Sequence, residues 1–263
     1  MLFRWLTERR RKALREQPLP PEWDAVIARN VAHWKRLDDD ERARLRDLVQ
    51  VFVAEKHWEG CGGLELTDEI RVTIAAQACV LLLGRDHDLY ADVESILVYP
   101  HTVVTPARPQ GIFTGNPSEP SRDGQAILGQ AHLHGPVILV WDSVRRGARR
   151  ADDGHNVVFH EFAHKIDMLD GGADGTPPLE EHAALRNWAE VCSASFEHLK
   201  SRTDAGRSSF FDAYGATNEA EFFAVATESF FERPEAMKRA EPALYDLFAA
   251  YYRQDPAARA ERD

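Results

Sequence analysis

The stretch Val157-Val158-Phe159-His160-Glu161-Phe162-Ala163-His164 constrains this chain more than any other. Its apolar residues, with Ile166 beyond them, surround a His-Glu-x-x-His spacing and predict a buried helix. Four residues along an α-helix advance about 6 Å and turn about 400°, which stacks His160 and His164 on one face. From there both imidazoles can ligate one Zn²⁺ at roughly 2.0–2.1 Å. Glu161 lies one residue round. A metal lowers the pKa of its bound water toward about 7, and Glu161 can take that proton as general base. The preceding run Asp152–Asn156 reads as a loop, with Asn156 as the helix N-cap. A surface helix with two solvated histidines is the bland alternative, and the apolar neighbours argue against it.

At 263 residues the chain is long enough to bury a sizeable core. We read one domain over 1–263: a helical part at 1–84, a small sheet at 85–150, the active-site helix and C-terminal helices at 151–252, and a tail at 253–263. The expected class is α+β, mostly helical, with a small mixed sheet and a central active-site helix. A net charge of −11 argues against a nucleic-acid partner. The basic run Arg9-Arg10-Arg11-Lys12 reads as a solvated helix face. No apolar run approaches 18 residues, so no membrane span is expected, and Met1–Leu6 is too short for a signal peptide core. Cys61, Cys79 and Cys192 are odd in number and far apart, which suits reduced thiols and a cytoplasmic location.

Along the chain, helices are expected over Phe3–Glu16 and Trp23–Trp34, then after a capping box at Asp38 and Glu41, then after Thr67. The runs Ser95–Tyr99, Thr102–Val104 and Val137–Trp141 read as strands, with a long loop at Pro106–Gln125. An edge position for Val137–Trp141 would offer unpaired backbone groups to an extended peptide; an interior position is the alternative. His132 and His134 share one strand face, but nothing nearby completes a metal site. Further helices are expected over Leu179–Leu199, Asn218–Phe231 and Pro242–Tyr252, with Asp255–Asp263 frayed.

Two histidines leave a zinc in need of a third protein ligand. Asp170 is the local candidate, yet the tight turn that spacing needs would fall at Asp167 rather than a glycine. Asp167 or Asp170 reads better as the acceptor of a ligating histidine's second N–H. Glu221 and Glu228 are the distal candidates, seven residues apart on one helix. Glu221 also completes a capping box with Asn218, so spacing alone leaves ligand and cap open. Glu228 is placed to orient a ligating histidine.

Tyr214-Gly-Ala-Thr-Asn-Glu-Ala-Glu221 and the following Phe222 to Pro234 resemble the C-terminal motif of the Mlc titration factor A (MtfA) family of bacterial zinc peptidases. The resemblance extends to Gly63–Cys79, Val137–Val144 and Gly154–Asp167, and spans roughly Phe3 to Tyr252. A tyrosine seven residues before the glutamate is also similar to the catalytic domain of anthrax lethal factor. This resemblance implies a zincin-like fold of the gluzincin kind, one Zn²⁺ per chain held by His160, His164 and Glu221, and a catalytic Tyr214. It further implies aminopeptidase-like cleavage of short peptides and binding to the repressor Mlc in the control of sugar uptake. Glu219 departs from the family pattern, where proline is expected, at a position outside the ligand set.

Tyr214 suits the chemistry, because a phenol O–H can donate to the oxyanion formed when water attacks a peptide carbonyl. The resulting expectation is a zinc metallopeptidase with Glu161 as general base. The rival is a regulatory protein that sequesters a repressor without physiological proteolysis. A closed structural zinc site would need a fourth protein ligand, and none is evident.

Overall fold

The computed structural model describes residues 2–85, 87–101, 103–104, 126–127, 129–131, 135–179 and 181–260. Helix α1 (Leu2–Arg15) carries the basic run, but Arg11 is not solvated. Its Nε and Nη2 donate to Glu55 at 2.8 and 3.1 Å and its Nη1 to Asp88 at 2.7 Å, which ties α1 to the end of α3 (Asp39–Glu55). The expected Trp23–Trp34 helix is two pieces, α2 (Pro21–Asn30) and a short 3-10 turn at Ala32–Arg36. The break falls where Val31 is extended and the Asn30 amide turns away to bond Thr73 Oγ1 and Glu69, competing with helical continuation.

The capping box opens α3 as the residues require: Glu41 N donates to Asp38 Oδ1 at 2.9 Å, and Asp38 N donates to Glu41 Oε2 at 3.1 Å. Helix α4 (Asp68–Val80) starts at Thr67, whose hydroxyl accepts from Ile70 N. Every residue from Val72 to Val80 is buried, so α4 lies in the centre, packed on α2, α3, α5 (Trp141–Arg149) and α6 (Val157–Asp167).

A four-stranded mixed sheet flanks these helices. Strands β1 (His57–Gly60), β2 (Ser95–Tyr99) and β6 (Val137–Val140) are parallel; β5 (Gly129–Ala131) runs antiparallel on β6. A second ribbon pairs β3 (Val103–Val104) with β4 (Ala126–Ile127). Of the two positions left open for strand β6 it takes the interior one, hydrogen-bonded to β2 and β5, as its apolar Val-Ile-Leu-Val sequence suits, and it stops one residue early, at Val140, because Trp141 begins α5. The edge on that side is β5, which packs against α6. The Pro106–Gln125 loop and the His132/His134 pair lie outside the described residues.

The C-terminal half is helical: α7 (His182–Asp204), α8 (Glu219–Glu232), α9 (Pro234–Ala240), α10 (Pro242–Tyr252) and α11 (Pro256–Ala260). An aromatic cluster binds them; Trp188 of α7 stacks on Phe248 of α10 at 5.4 Å, with Phe223 of α8 against both. The tail expected to fray is docked as far as Arg259. Arg259 bonds Glu41 and Gln254, and Gln254 Nε2 donates to the carbonyls of Val80 and Leu81, capping the end of α4. The fold is thus a mostly helical α+β arrangement with a small mixed sheet, in which α6 is buried between the sheet and α8.

Candidate metal centre

Helix α6 begins at Asn156, whose Oδ1 accepts from Val158 N and Phe159 N at 3.1 and 3.2 Å. The rest of the residue is equally committed. Its Nδ2 donates to Gln77 Oε1 of α4 and Glu232 Oε1 of α8, and its backbone N–H donates to Glu228 Oε2. Gly147 of α5 allows close packing on this residue, since a Cβ there would lie 3.2 Å from both Asn156 Cα and Cγ. The start of α6 is therefore fixed from three helices at once.

One turn on, His160 and His164 face α8. Their Nε2 atoms lie 3.2 Å apart, and Glu221 Oε2 lies 3.1 Å from the first and 3.3 Å from the second. These are the dimensions of one face of a tetrahedron, because ligands at roughly 2.0–2.1 Å from a tetrahedral Zn²⁺ are roughly 3.3–3.4 Å from each other. Two imidazole nitrogens and a carboxylate oxygen also form a common donor set for that ion. His160, His164 and Glu221 are the group of metal-capable side chains found among the described residues. The residues fit a zinc ion on distance and on chemistry alike.

Glu221 is not only a cap. Its backbone N–H donates to Asn218 Oδ1 at 2.9 Å, which uses the N-cap, while its side chain turns to the histidines. Glu228, two turns further along α8, accepts from His160 Nδ1 at 2.8 Å. Thus Glu228, of the candidates Asp167, Asp170 and Glu228, contacts the histidine's second nitrogen. Asp170 is exposed and accepts from Gly172 N in a turn. Asp167 is buried, accepts from Gly175 N at 3.0 Å, and is pushed up to about 6 by burial. It holds the loop whose Gly175 passes against the carbonyl of Glu219, where a Cβ would collide at 2.4 Å.

Glu161 is buried beside the trio. Burial raises its carboxyl pKa, opposed by His160 and His164. Burial opposes ionisation of Glu221 too, but hydrogen bonds to both histidines hold it well below the usual carboxylate range. Against burial, Glu221 and Glu228 raise the His160 pKa well above that of free imidazole. Such a site attracts positive charge, as a proton or a cation. The edge strand passes over Glu161 at Gly129, where a Cβ would meet Oε1 at 2.5 Å and Val157 Cγ2 at 2.6 Å. Sequence reasoning passed over Gly129; a glycine within a strand signals such close approach.

Tyr214 stands on a 3-10 turn at Ala213–Ala216 opened by Asp212, whose Oδ1 accepts from Tyr214 N at 2.8 Å. Its ring centre is 6.0 Å from that of His160, and it is 44% exposed. It shares one cleft of about 520 Å³ with His160, Glu161 and Glu228. Gly129 of β5, Arg146 of α5 and Asp212 complete different walls of the cleft.

A family model described as glucose-regulated metallo-peptidase M90 matches residues 5–253. An uncharacterized protein of Synechocystis sp. is 35% identical over 254 residues, 96% of this chain and 90% of that one. Proteins named Mlc titration factor A from Serratia proteamaculans and Edwardsiella ictaluri are each 33% identical, over 246 and 231 residues. Those alignments cover 92% and 85% of this chain and 90% and 84% of the relatives.

Proposed function

This chain belongs to the glucose-regulated metallo-peptidase M90 family, and we propose that it is a zinc-dependent peptidase, aminopeptidase-like on short peptides, with His160, His164 and Glu221 as ligands of one Zn²⁺. The observation that carries the reading is the triangle of donor atoms at 3.1, 3.2 and 3.3 Å, opening on a cleft that also contains Glu161 and Tyr214.

When bound, zinc supplies Lewis acidity, acidifying a water and polarising the scissile carbonyl. The chain's residues do the rest. Glu161 takes the proton of the attacking water and delivers it to the leaving amine; burial raises its pKa toward the range such a base needs. Tyr214 donates its O–H to the carbonyl oxygen as negative charge develops there. Glu228 fixes the ring plane and tautomer of His160 through Nδ1. Strand β5, one edge of the sheet and a wall of the cleft, pairs with the extended substrate backbone. Asp212, exposed on the cleft wall, is the carboxylate we assign to the substrate's N-terminal ammonium.

The test measures bound zinc and turnover of amino-acid anilides together. Wild type carries one zinc and cleaves; Glu161→Gln keeps the metal and loses turnover; Glu221→Ala loses both. Full activity in Glu161→Gln, or full zinc in Glu221→Ala, defeats the assignment.

A second role is favoured by the names of the Serratia and Edwardsiella relatives. We propose that this chain also binds an Mlc-type repressor, by a surface that does not require catalysis. That binding survives chelation and Glu161→Gln; its loss under both would make it a substrate contact instead.

A further inference from the structure

The proposed function leaves unused the most basic helix beside the cleft. Helix α5 reads Trp-Asp-Ser-Val-Arg-Arg-Gly-Ala-Arg and is followed by Arg150. Ser143, Arg146 and Gly147 fall at i, i+3 and i+4, and all three line the cleft. The close approach of Gly147 to Asn156 holds this face of α5 against the start of the metal helix, so Arg146 sits on a rigid wall.

Of the acidic groups lining the cleft, Glu228 accepts from Asn156 N and His160, Asp153 accepts from His155 N and lies 3.8 Å from Arg150, and Asp212 caps the Tyr214 turn with one oxygen, while Glu161 and the other Asp212 oxygen keep the roles proposed above. Arg146 is exposed; its charge helps to lower the Asp142 pKa, but among the described residues no carboxylate lies within ion-pair distance of it. It also lines a groove of about 390 Å³, which shares Arg149 and Arg150 with a further groove of about 610 Å³ carrying Lys35 and Arg36. Arg146 thus lies at the junction of the cleft and a basic face, in a chain whose net charge is −11. Asp142, the carboxylate at the near groove, is taken by His101 Nδ1 at 2.7 Å and Arg145 at 3.2 Å.

We propose that Arg146 is a specificity-determining residue that reads a carboxylate of the bound peptide, and that the basic face beyond it selects acidic peptides. This rests on the peptidase reading of the cleft and adds a substrate class to it. A guanidinium presents a planar fork of donors that matches a carboxylate in two places, whereas it offers nothing to a neutral amide of the same shape. The carboxylate comes from an acidic side chain or from the peptide's own C-terminus; both have the same chemistry, and the experiment separates them.

Zinc-loaded Glu161→Gln protein, which holds peptide without turnover, is titrated calorimetrically with three tetrapeptides of one core sequence. One is an amide ending in two glutamates, one its double-glutamine counterpart, and one that counterpart with a free C-terminal carboxylate. The diglutamate binds about tenfold more tightly than its glutamine partner, as one partly solvated charge-assisted contact allows. The preference shrinks as salt is raised. In an added Arg146→Ala change the preference disappears while the glutamine amide binds as before. Arg146→Lys restores part of it, and Arg239→Ala on α9 leaves it intact. A preference shown by the free C-terminus alone, and lost with Arg146, assigns the carboxylate to the chain end. Equal binding of all three peptides, or a preference that survives Arg146→Ala, overturns the proposal while leaving the peptidase reading standing. Failure to bind any of them overturns both.

Discussion

Gly129 on the edge strand and Glu161 on the metal helix approach so closely that no side chain fits between them. A Cβ at position 129 would lie 2.5 Å from one carboxylate oxygen and 2.7 Å from Cγ. A methyl group there must displace either the strand or the proposed base. Gly129→Ala is therefore expected to lower kcat/KM about a hundredfold, the scale of a misplaced catalytic group, while zinc content and melting temperature stay near wild type. Steady-state kinetics beside a metal assay checks this, and undiminished turnover would show that Glu161 does not need its present position.

Glu228 tests the support of the metal rather than the metal itself. It accepts from His160 Nδ1 and from Asn156 N. Glu228→Gln keeps the size of the side chain but cannot accept equally well at both places. Zinc affinity should fall by about 10- to 100-fold, measured by competition with a chelating dye. An unchanged affinity would reduce Glu228 to a helix-packing residue.

Tyr214→Phe removes one phenol oxygen and keeps the ring, and its turn is held through the backbone by Asp212. The expected loss is about 10²- to 10³-fold in kcat, with KM and zinc content little changed. A rise in KM alone would mean that the ring binds substrate and does not stabilise the developing charge.

His33 and Glu232 lie 3.6 Å apart in the core, in the geometry of an ion pair, yet burial favours the neutral form of both. It pushes His33 down to about 3, aided by Arg36 and Arg259, and it pushes Glu232 up, opposed by the Asn156 amide. A histidine neutral when folded costs stability as pH falls below its unfolded value of 6.5, since only the unfolded chain takes the proton. A glutamic acid protonated when folded costs stability as pH rises above its unfolded value of 4.5. From 4.5 to 6.5 the two slopes oppose each other in wild type. Glu232→Gln should uncover the first, with stability lost toward acid at up to about 1.4 kcal/mol per pH unit. His33→Gln should uncover the second. Urea midpoints from pH 3.5 to 7.5 decide it; two variants that track wild type would mean the pair ionises together.

Most of what positions the site was readable where local chemistry and tertiary structure agree. Asn156 and Asn218 cap the two ligand-bearing helices as their sequence positions suggest, and Ser95–Tyr99 is a strand with those bounds. The misreadings share a cause: long-range pairing outweighed local preference. His57–Gly60 is short and polar, but a parallel partner in Ser95–Val98 makes it a strand. The tail beyond Gln254 reads as solvent-bound until Arg259 meets Glu41, 218 residues earlier. Whether β6 was edge or interior stayed open in the sequence, because three residues, Gly129–Ala131, decide it by covering its outer edge. The sequence offered Asp167, Asp170 and Glu228 for the carboxylate beside His160, and spacing alone did not choose among them, since Asp167 is near in sequence while Glu228 is near in space.

The four-way engagement of Asn156 bears on what happens when the ion departs. Its amide and backbone join the first turn of α6 to Gln77, Glu228 and Glu232, so the two ligand-bearing helices are fastened at a point that contains no metal ligand. Loss of zinc then becomes an event of three side chains and leaves the scaffold standing. Amide protons of α6 and α8 should exchange with deuterium nearly as slowly in chelator as in zinc. On the zinc reading, a site so built can be emptied and refilled without passing through an unfolded state.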